Sequence, residues 1–414
     1  MTAPSSRIVS MDVLRGCAVM GILWMNISGF ALPQPAYFNP GVAGPLSPAD
    51  ILFWAFGFLF FDGKMRGLFA LLFGASMLLL IDREEMAGRN GRRAQIVRAG
   101  WLFVFGLAHY LLLWWGDILM TYALAGLVAL RFVRREPLSL VKWAFLFFLL
   151  HFLLCLAFIA QLHFWSQAAA APGVAADIRE GFADFIAPYS DPHSATVGHE
   201  IAIYRSGFGA IFLHHLADFP GQWLWSFLFT AFEALGFMLL GMAMLKGGFL
   251  TGRWSAEQYW RTARHCFLIG LLPMGALALW VISGRFAVLP ALGSMMAWSF
   301  PFRIPLTVGW AALILWLSCR GAQGGLARSV AAAGRMAFSN YLGTSLVMTA
   351  IFYGWGLGLF GRLHPAMLLP FVLGGWAVMM LWSSLWLKRF ASGPLEWLWR
   401  SLARGRMQKI RINN

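Results

Sequence analysis

Charge is what this sequence has least of. Only 12% of its 414 residues are Asp, Glu, Lys or Arg, while 60% are hydrophobic. So few charges cannot cover the surface of a water-soluble chain of this length, which excludes an ordinary soluble enzyme and, with so much apolar content, a disordered chain. Cysteine is scarce too. Cys17, Cys155, Cys266 and Cys319 each lie in an apolar run with no CxxC spacing, so neither a disulfide framework nor a metal knuckle is indicated. Acidic residues number 17 against 32 Lys and Arg. In a soluble protein the resulting +15 charge would suggest nucleic acid; in a membrane chain it first marks the loops held in the cytoplasm. No repeat of fixed period and no low-complexity linker is visible.

Long apolar runs are what the sequence has in abundance. A hydrocarbon core near 30 Å takes about 20 helical residues, and segments 13–32, 51–81, 96–115, 118–133, 143–165, 222–245, 266–283, 300–319, 338–353 and 367–387 meet that measure. The expected fold is an all-α polytopic bundle of about ten transmembrane helices. Arginine placement gives the orientation: Arg83, Arg89, Arg92, Arg93 and Arg98 crowd one loop, and Arg131, Arg134, Arg135 and Lys142 crowd another two crossings later. The same parity puts both termini in the cytoplasm, as expected for a bacterial-type inner membrane. The first run resembles a signal peptide in outline, but it carries Asp12 and Asn26 and leads into further spans, so it is read as a retained helix. The chain divides into a transmembrane half 1–165, an outward-facing loop 166–218 with six acidic residues, and a transmembrane half 219–414. Segment 51–81 is too long for one crossing and holds Asp62, Lys64 and Arg66 at its middle, predicting an interfacial helix followed by the true span. Segment 285–299, with Pro290 and Gly293, predicts a short outer or re-entrant helix.

An ionisable or amide side chain inside a span costs roughly 2.5 to 3.5 kcal/mol on insertion scales and needs a partner, a wet cavity or a job. Arg15 and Asn26 are eleven residues apart on the first helix, which brings them to within about 20° of one face with Asn26 about 16 Å deeper. Arg98 and His109 repeat the spacing on the third span. Two helices thus offer a cationic mouth and a deep polar group, a geometry suited to an acyl-coenzyme A whose phosphates rest at the rim while its thioester reaches inward. The plainer readings are positive-inside anchors for the arginines and helix-to-helix hydrogen bonding for His109 and Asn26. Asp117 follows Gly116 at the far end of the third span; in one continuous helix it stands about 12 Å from His109, so it reads as the turn and cap of the fourth helix. Glu233 has three readings: partner of His109, lone proton carrier, or structural pair of an arginine or lysine.

Other signals are weaker. Gly356, Gly358 and Gly361 match a dinucleotide fingerprint in letters only, with no strand before them, and read as a turn. His193, His199, Glu200, His214 and His215 lack the regular spacing of a metal site, and no metal is expected. The 21 Trp and 37 Phe suit aromatic belts and lipid-facing packing.

The stretch Arg7-Ile-Val-Ser-Met-Asp12-Val-Leu-Arg15-Gly16 with Gly21-Ile-Leu and Asn26-Ile resembles the opening of the YeiB-like membrane proteins. Asp62-Gly-Lys64-Met-Arg66, Leu68 to Gly74, His109 with Trp114 and Gly116-Asp117-Ile-Leu, Gly334-Arg335-Met-Ala-Phe-Ser-Asn340-Tyr341, and Gly393-Pro-Leu-Glu-Trp-Leu-Trp-Arg400 extend the likeness over nearly the whole chain. More narrowly, the first helix is similar to that of the transmembrane acyltransferase superfamily, which includes heparan-α-glucosaminide N-acetyltransferase and the cell-envelope O-acyltransferases. That resemblance implies a pore taking an acyl donor from the cytoplasm, with Arg15 matching the arginine of their first-helix motif and Asn26 standing where members carry asparagine or histidine. The His-x-x-Trp-x-Gly stretch of the heparan enzyme is missing here, and His109 takes its place as base.

The resulting expectation is a membrane-embedded acyltransferase. His109, Asn26 and Glu233 form the catalytic set; Arg15, Arg98 and Arg335 hold the acyl-CoA donor; Asp62, Lys64, Arg66, Asp117 and Asn340 face the acceptor. The partners expected are the lipid bilayer and an envelope glycan, lipid or small-molecule acceptor, with no nucleic acid and with a homodimer left open. The rival expectation is a transporter or exporter of a small anionic or amphipathic solute, in which the same polar track carries the cargo and Glu233 or His109 relays protons.

Overall fold

The computed structural model describes residues 9–320 and 324–412, and Arg7 and Ile8 of the opening motif lie outside them. Among the described residues every extended element is helical. Helix α1 (Val9–Ala31) stops before Pro33, and a short α2 (Gln34–Phe38) follows. A capping box between Ser47 and Asp50 starts α3 (Pro48–Phe60). Gly63, at φ +69°, lets the chain turn before α4 (Lys64–Met86). The long 51–81 run is thus broken at its charged middle. Instead of lying alone at an interface, α3 packs Trp54 and Phe58 against Met274, Ala278 and Val281.

Asn90 caps α5 (Gly91–Leu112), and α6 (Leu119–Ala129) returns beside it. Next come α7 (Pro137–Ala170), α8 (Ala176–Ser190), α9 (Ala195–Tyr204), α10 (Phe208–Leu228) and α11 (Ala231–Lys246). The expected outward loop 166–218 is therefore helical, and its end falls inside α10. Helices α10 and α11 form a broken pair bent by 48° where one continuous span was expected. The chain continues through α12 (Ala256–Ser283), a short α13 (Val288–Gly293) running into a π turn at Ser294–Trp298, and α14 (Phe300–Cys319). Last are α15 (Gly325–Arg335), α16 (Ala337–Phe352), α17 (Leu369–Trp386) and α18 (Pro394–Arg404).

Among the described residues seven helices are long and apolar enough to cross a bilayer, or eight with the bent pair taken as one. These eight coincide with eight of the ten expected crossings. The other two, α6 and α16, have 11 and 16 residues, less than a hydrocarbon core requires. In the first case the reason is local: α5 ends at Leu112 and α6 starts only at Leu119. Their turn is covered by α10, whose His215 donates from Nδ1 to the Leu111 carbonyl at 3.3 Å.

Close backbone approach at glycines sets two of the main helix contacts. A Cβ on Gly334 would stand 1.8 Å from the Asp12 carbonyl oxygen, and one on Gly16 2.1 Å from that of Val330, so α1 and α15 touch backbone to backbone. Gly74 of α4 and Gly241 of α11 do the same, against Met238 and Leu71. Gly334→Val should push α15 off α1 and destabilise the protein by about 1 to 3 kcal/mol, more than Gly343→Val, which meets open space. Thermal unfolding of the two variants in one detergent checks this.

Helix α9 is tied to α2 by Glu200, which accepts the Gln34 N–H at 2.8 Å. Burial pushes its carboxyl up from 4.5 to about 7. The folded state therefore holds a proton that the unfolded chain releases. The linked stability is complete below pH 4.5 and is lost as pH rises through 7. The melting temperature should decline between pH 5 and 8, and Glu200→Gln, which keeps an acceptor for Gln34, should flatten that part of the profile.

Candidate functional site

The arginines fall together. At one end of the bundle α1, α4, α5, α15, α16 and α18 enclose a cavity of about 230 Å³ whose lining includes Arg15, Arg98, Arg335 and Arg400 with Asp12 and Glu396. Arg15 reaches Asp12 at 3.1 Å and the Ser76 hydroxyl at 2.6 Å. The guanidinium of Arg98 lies 4.2 Å over the Trp399 ring, which fixes its plane. Arg335 donates to the Ala391 carbonyl at 3.2 Å. Glu396 accepts the Phe338 N–H at 2.8 Å and the Ser339 N–H at 3.2 Å, so it caps the start of α16, and burial raises its carboxyl above the ordinary range. Four guanidinium groups against two carboxylates make the cavity cationic, and planar donor forks suit phosphate. The volume lies below the roughly 300 to 1,000 Å³ usual for small-molecule sites. It has room for a phosphate-sized group and part of a chain.

Deeper on the same two helices, α5 and α16, lies a second constellation. The His109 Nδ1 is 2.8 Å from Asp117 Oδ2, and its Nε2 is 2.8 Å from the Ser345 hydroxyl. The His109 and Asp117 side chains are wholly enclosed. A carboxylate only accepts, so a neutral imidazole bound to it carries its proton on Nδ1 and offers the Nε2 lone pair to Ser345. The separation expected for one continuous helix is overturned here because α5 ends early. Leu113 and Trp114 both donate to the His109 carbonyl, at 2.9 and 3.0 Å, and the chain folds back over the ring. Asp117 also caps α6 as expected, its Oδ1 accepting the Met120 N–H at 2.9 Å.

The remaining expected site residues separate. Glu233 pairs with Arg66 at 2.7 Å and not with His109, the third of its readings. Asp62 pairs with Arg303 at 2.6 Å, and Lys64, fully buried, donates to the Phe58 carbonyl. Asp62 and Lys64 are sealed between helices and present nothing to an acceptor in solution. Asn340 donates to the Ala333 carbonyl and to Ser383, both at 2.9 Å, and joins α15, α16 and α17. Asn26 is half-buried, does not line the arginine cavity and makes no hydrogen bond to His109 among the described residues. No group of three or more His, Cys, Asp or Glu among the described residues could hold a metal ion.

Sequence reasoning passed over Arg400, Arg303 and Ser345. A signal for Ser345 existed: Tyr341, Ser345 and Thr349 recur every four residues on α16, one polar stripe along the helix. Arg15→Ala and Arg98→Ala should each weaken binding of inorganic pyrophosphate to the purified protein roughly tenfold or more, with the wild-type affinity falling as salt rises. Calorimetric titration at two ionic strengths reads both effects.

The comparisons place the chain among similar proteins. A family model described as "Protein of unknown function (DUF418)" matches residues 244–406. The chain is 35% identical to the uncharacterized protein YeiB of Escherichia coli (strain K12) over 403 residues, covering 96% of each chain. It is 30% identical to the uncharacterized protein YxaH of Bacillus subtilis (strain 168) over 417 residues, covering 97% of this chain and 95% of that one. No solved structure matches it.

Proposed function

The chain belongs to the YeiB-like family of multi-span membrane proteins, and from that premise we propose that it is an inner-membrane acyltransferase drawing on a cytoplasmic acyl-CoA-type donor. One observation carries the reading: α5 and α16 line an arginine cavity at one end and, about two helical turns further in, bring a histidine base against a hydroxyl. Positive-inside charge puts the arginine-rich end and both termini in the cytoplasm. Donor phosphates would rest on Arg15, Arg98, Arg335 and Arg400, and the acyl arm would pass between Phe338 and Tyr341 towards His109. The imidazole takes a proton from an attacking hydroxyl or amine, and Asp117 holds its tautomer and offsets the charge that develops. The acceptor is an envelope glycan, a lipid or a small molecule, reached from the far side.

A transporter reading has one observation in its favour. The α3–α4 break, the α10–α11 bend and the π turn before α14 all lie by the Asp62–Arg303 and Arg66–Glu233 pairs, as discontinuous helices do in carriers. A void of about 10 Å³ beside Arg66 and Glu233 has room for a single water, which favours a sealed structural network.

In nanodiscs holding the purified protein and a mixed lipid extract, acetyl-CoA should release free thiol. Asp117→Asn keeps the cap of α6 but loses the fixed tautomer, and should slow release by roughly 10² to 10⁴-fold. Arg98→Ala should act chiefly on KM. Solute uptake into proteoliposomes without any donor, paired with thiol release unchanged in Asp117→Asn, would replace the enzyme by a carrier.

A further inference from the structure

We infer that Ser345 is the nucleophile of this site, so that transfer runs through an acyl-serine on α16. The inference rests on the acyltransferase reading for its donor and on the geometry of α16 for its residue. A serine inside an apolar helix ordinarily quiets its hydroxyl on the carbonyl one turn back, as Ser318 does on Ile314 at 2.9 Å and Thr349 on Ser345 at 2.7 Å. Ser345 stands 3.3 Å from the Tyr341 carbonyl and 2.8 Å from His109 Nε2. The hydroxyl is within reach of both acceptors, and the contact to the imidazole is shorter than the long bond to its own helix. In a neutral imidazole, Asp117 at the other ring nitrogen leaves Nε2 as the acceptor of the pair. Nucleophile, base and orienting carboxylate follow in sequence with hydrogen-bond distances at both joints, the arrangement that activates a hydroxyl.

A structural hydrogen bond needs none of this. Ser345 could be satisfied by its own helix, and a histidine used as helix glue has no need of a buried carboxylate behind it. Placing Asp117 there requires α5 to end at Leu112 and leaves irregular backbone at depth, which membranes tolerate only inside protein.

The step balances. The Ser345 Oγ attacks the thioester carbonyl while His109 Nε2 takes the hydroxyl proton; the C–S bond breaks, and the proton passes to the departing thiolate. The acceptor hydroxyl or amine then attacks the serine ester, gives its proton to Nε2, and returns Ser345 its own. An acyl-serine lets donor and acceptor react in turn, so they never have to share the site.

Two probes test this. With acetyl-CoA and no acceptor, wild-type protein in nanodiscs should release a burst of one thiol per chain and carry one acetyl group on the peptide containing Ser345. Ser345→Ala should abolish the burst and slow turnover by about 10³-fold or more, while binding pyrophosphate in the arginine cavity as the wild type does. A membrane-permeant fluorophosphonate should label Ser345 in the wild type and fail in His109→Gln. Labelling at Ser345 without acetyl-CoA turnover would keep the nucleophile and overturn the donor. Turnover that survives Ser345→Ala would overturn the nucleophile and leave the acyltransferase standing, by direct transfer. Neither labelling nor acetylation in a folded wild type overturns both.

Discussion

Inside hydrocarbon a polar group has no water to turn to, and the protein must supply every partner itself. This constraint governs the short stretch after α5. Once the helix ends at Leu112, the backbone from Leu113 to Ile118 has lost its internal ladder, and each freed group has to be met by something nearby. The His109 carbonyl takes two N–H groups, Trp114 donates its indole N–H to the Gly29 carbonyl at 3.0 Å, and Asp117 takes the Met120 N–H. The chain doubles back tightly, and the doubling back returns Asp117 to the ring of His109. The relay is thus a consequence of how the interruption is paid for in hydrogen bonds.

The same constraint shapes the ionic part of the bundle. Arg66–Glu233 and Asp62–Arg303 each bury an acid that must not lose its cation, since removing one partner of a buried pair leaves a charge uncompensated at a cost of roughly 3 to 5 kcal/mol. The pairs lie where α3 yields to α4 and where α10 bends into α11. Helix interruptions free backbone acceptors, and cations use them: Lys64 donates to the Phe58 carbonyl and Arg303 to that of Met295. Charges and breaks therefore support one another and fix the packing of α4, α11 and α14. The arginine cavity differs in kind, because its rim is exposed at Arg400 and half-buried at Arg15, Arg98 and Arg335. One region is a closed frame; the other is open at its rim.

How much of this was legible in the residues depends on the range of the interaction. Eight of the ten expected spans followed from apolar length, the break near Asp62 from charge in an over-long run, and the grouping of Arg15, Arg98 and Arg335 from helical spacing plus a common end of the bundle. Glu233 was visible as a buried acid, but its partner stands 167 residues earlier, and nothing in a single sequence chooses between Arg66 and His109. Asp117 was misjudged through a correct rule applied to a wrong premise: eight residues are far apart along a helix and adjacent once the helix stops. The sequence carries the cause in Trp114-Trp115-Gly116, where a Cβ on Gly116 would stand 2.3 Å from the Trp114 ring. Asn340 read as a site residue because amides in spans are rare; its two hydrogen bonds show an amide used to hold three helices.

The depth and dryness of the relay then acquire a meaning that the cavity alone would not give. Ser345 and His109 are enclosed, with Tyr341 against the imidazole at 5.2 Å and Phe338 edge-on to Phe105 at 5.3 Å between them and the arginines. An aromatic layer of that kind is poor for water and phosphate, whereas an acyl chain entering it, as the proposal requires, would gain about 0.8 kcal/mol per methylene buried. The acyl-serine proposed for this site would be hydrolysed by solvent in a wet one, and an imidazole in water would lose its hold on the hydroxyl. Charge selection at the rim and exclusion of water at depth are opposed demands, and one cavity could not meet both. Two sites joined through α5 and α16 can, and on the proposed reading the arginines would choose what enters and the aromatic layer which part of it goes further.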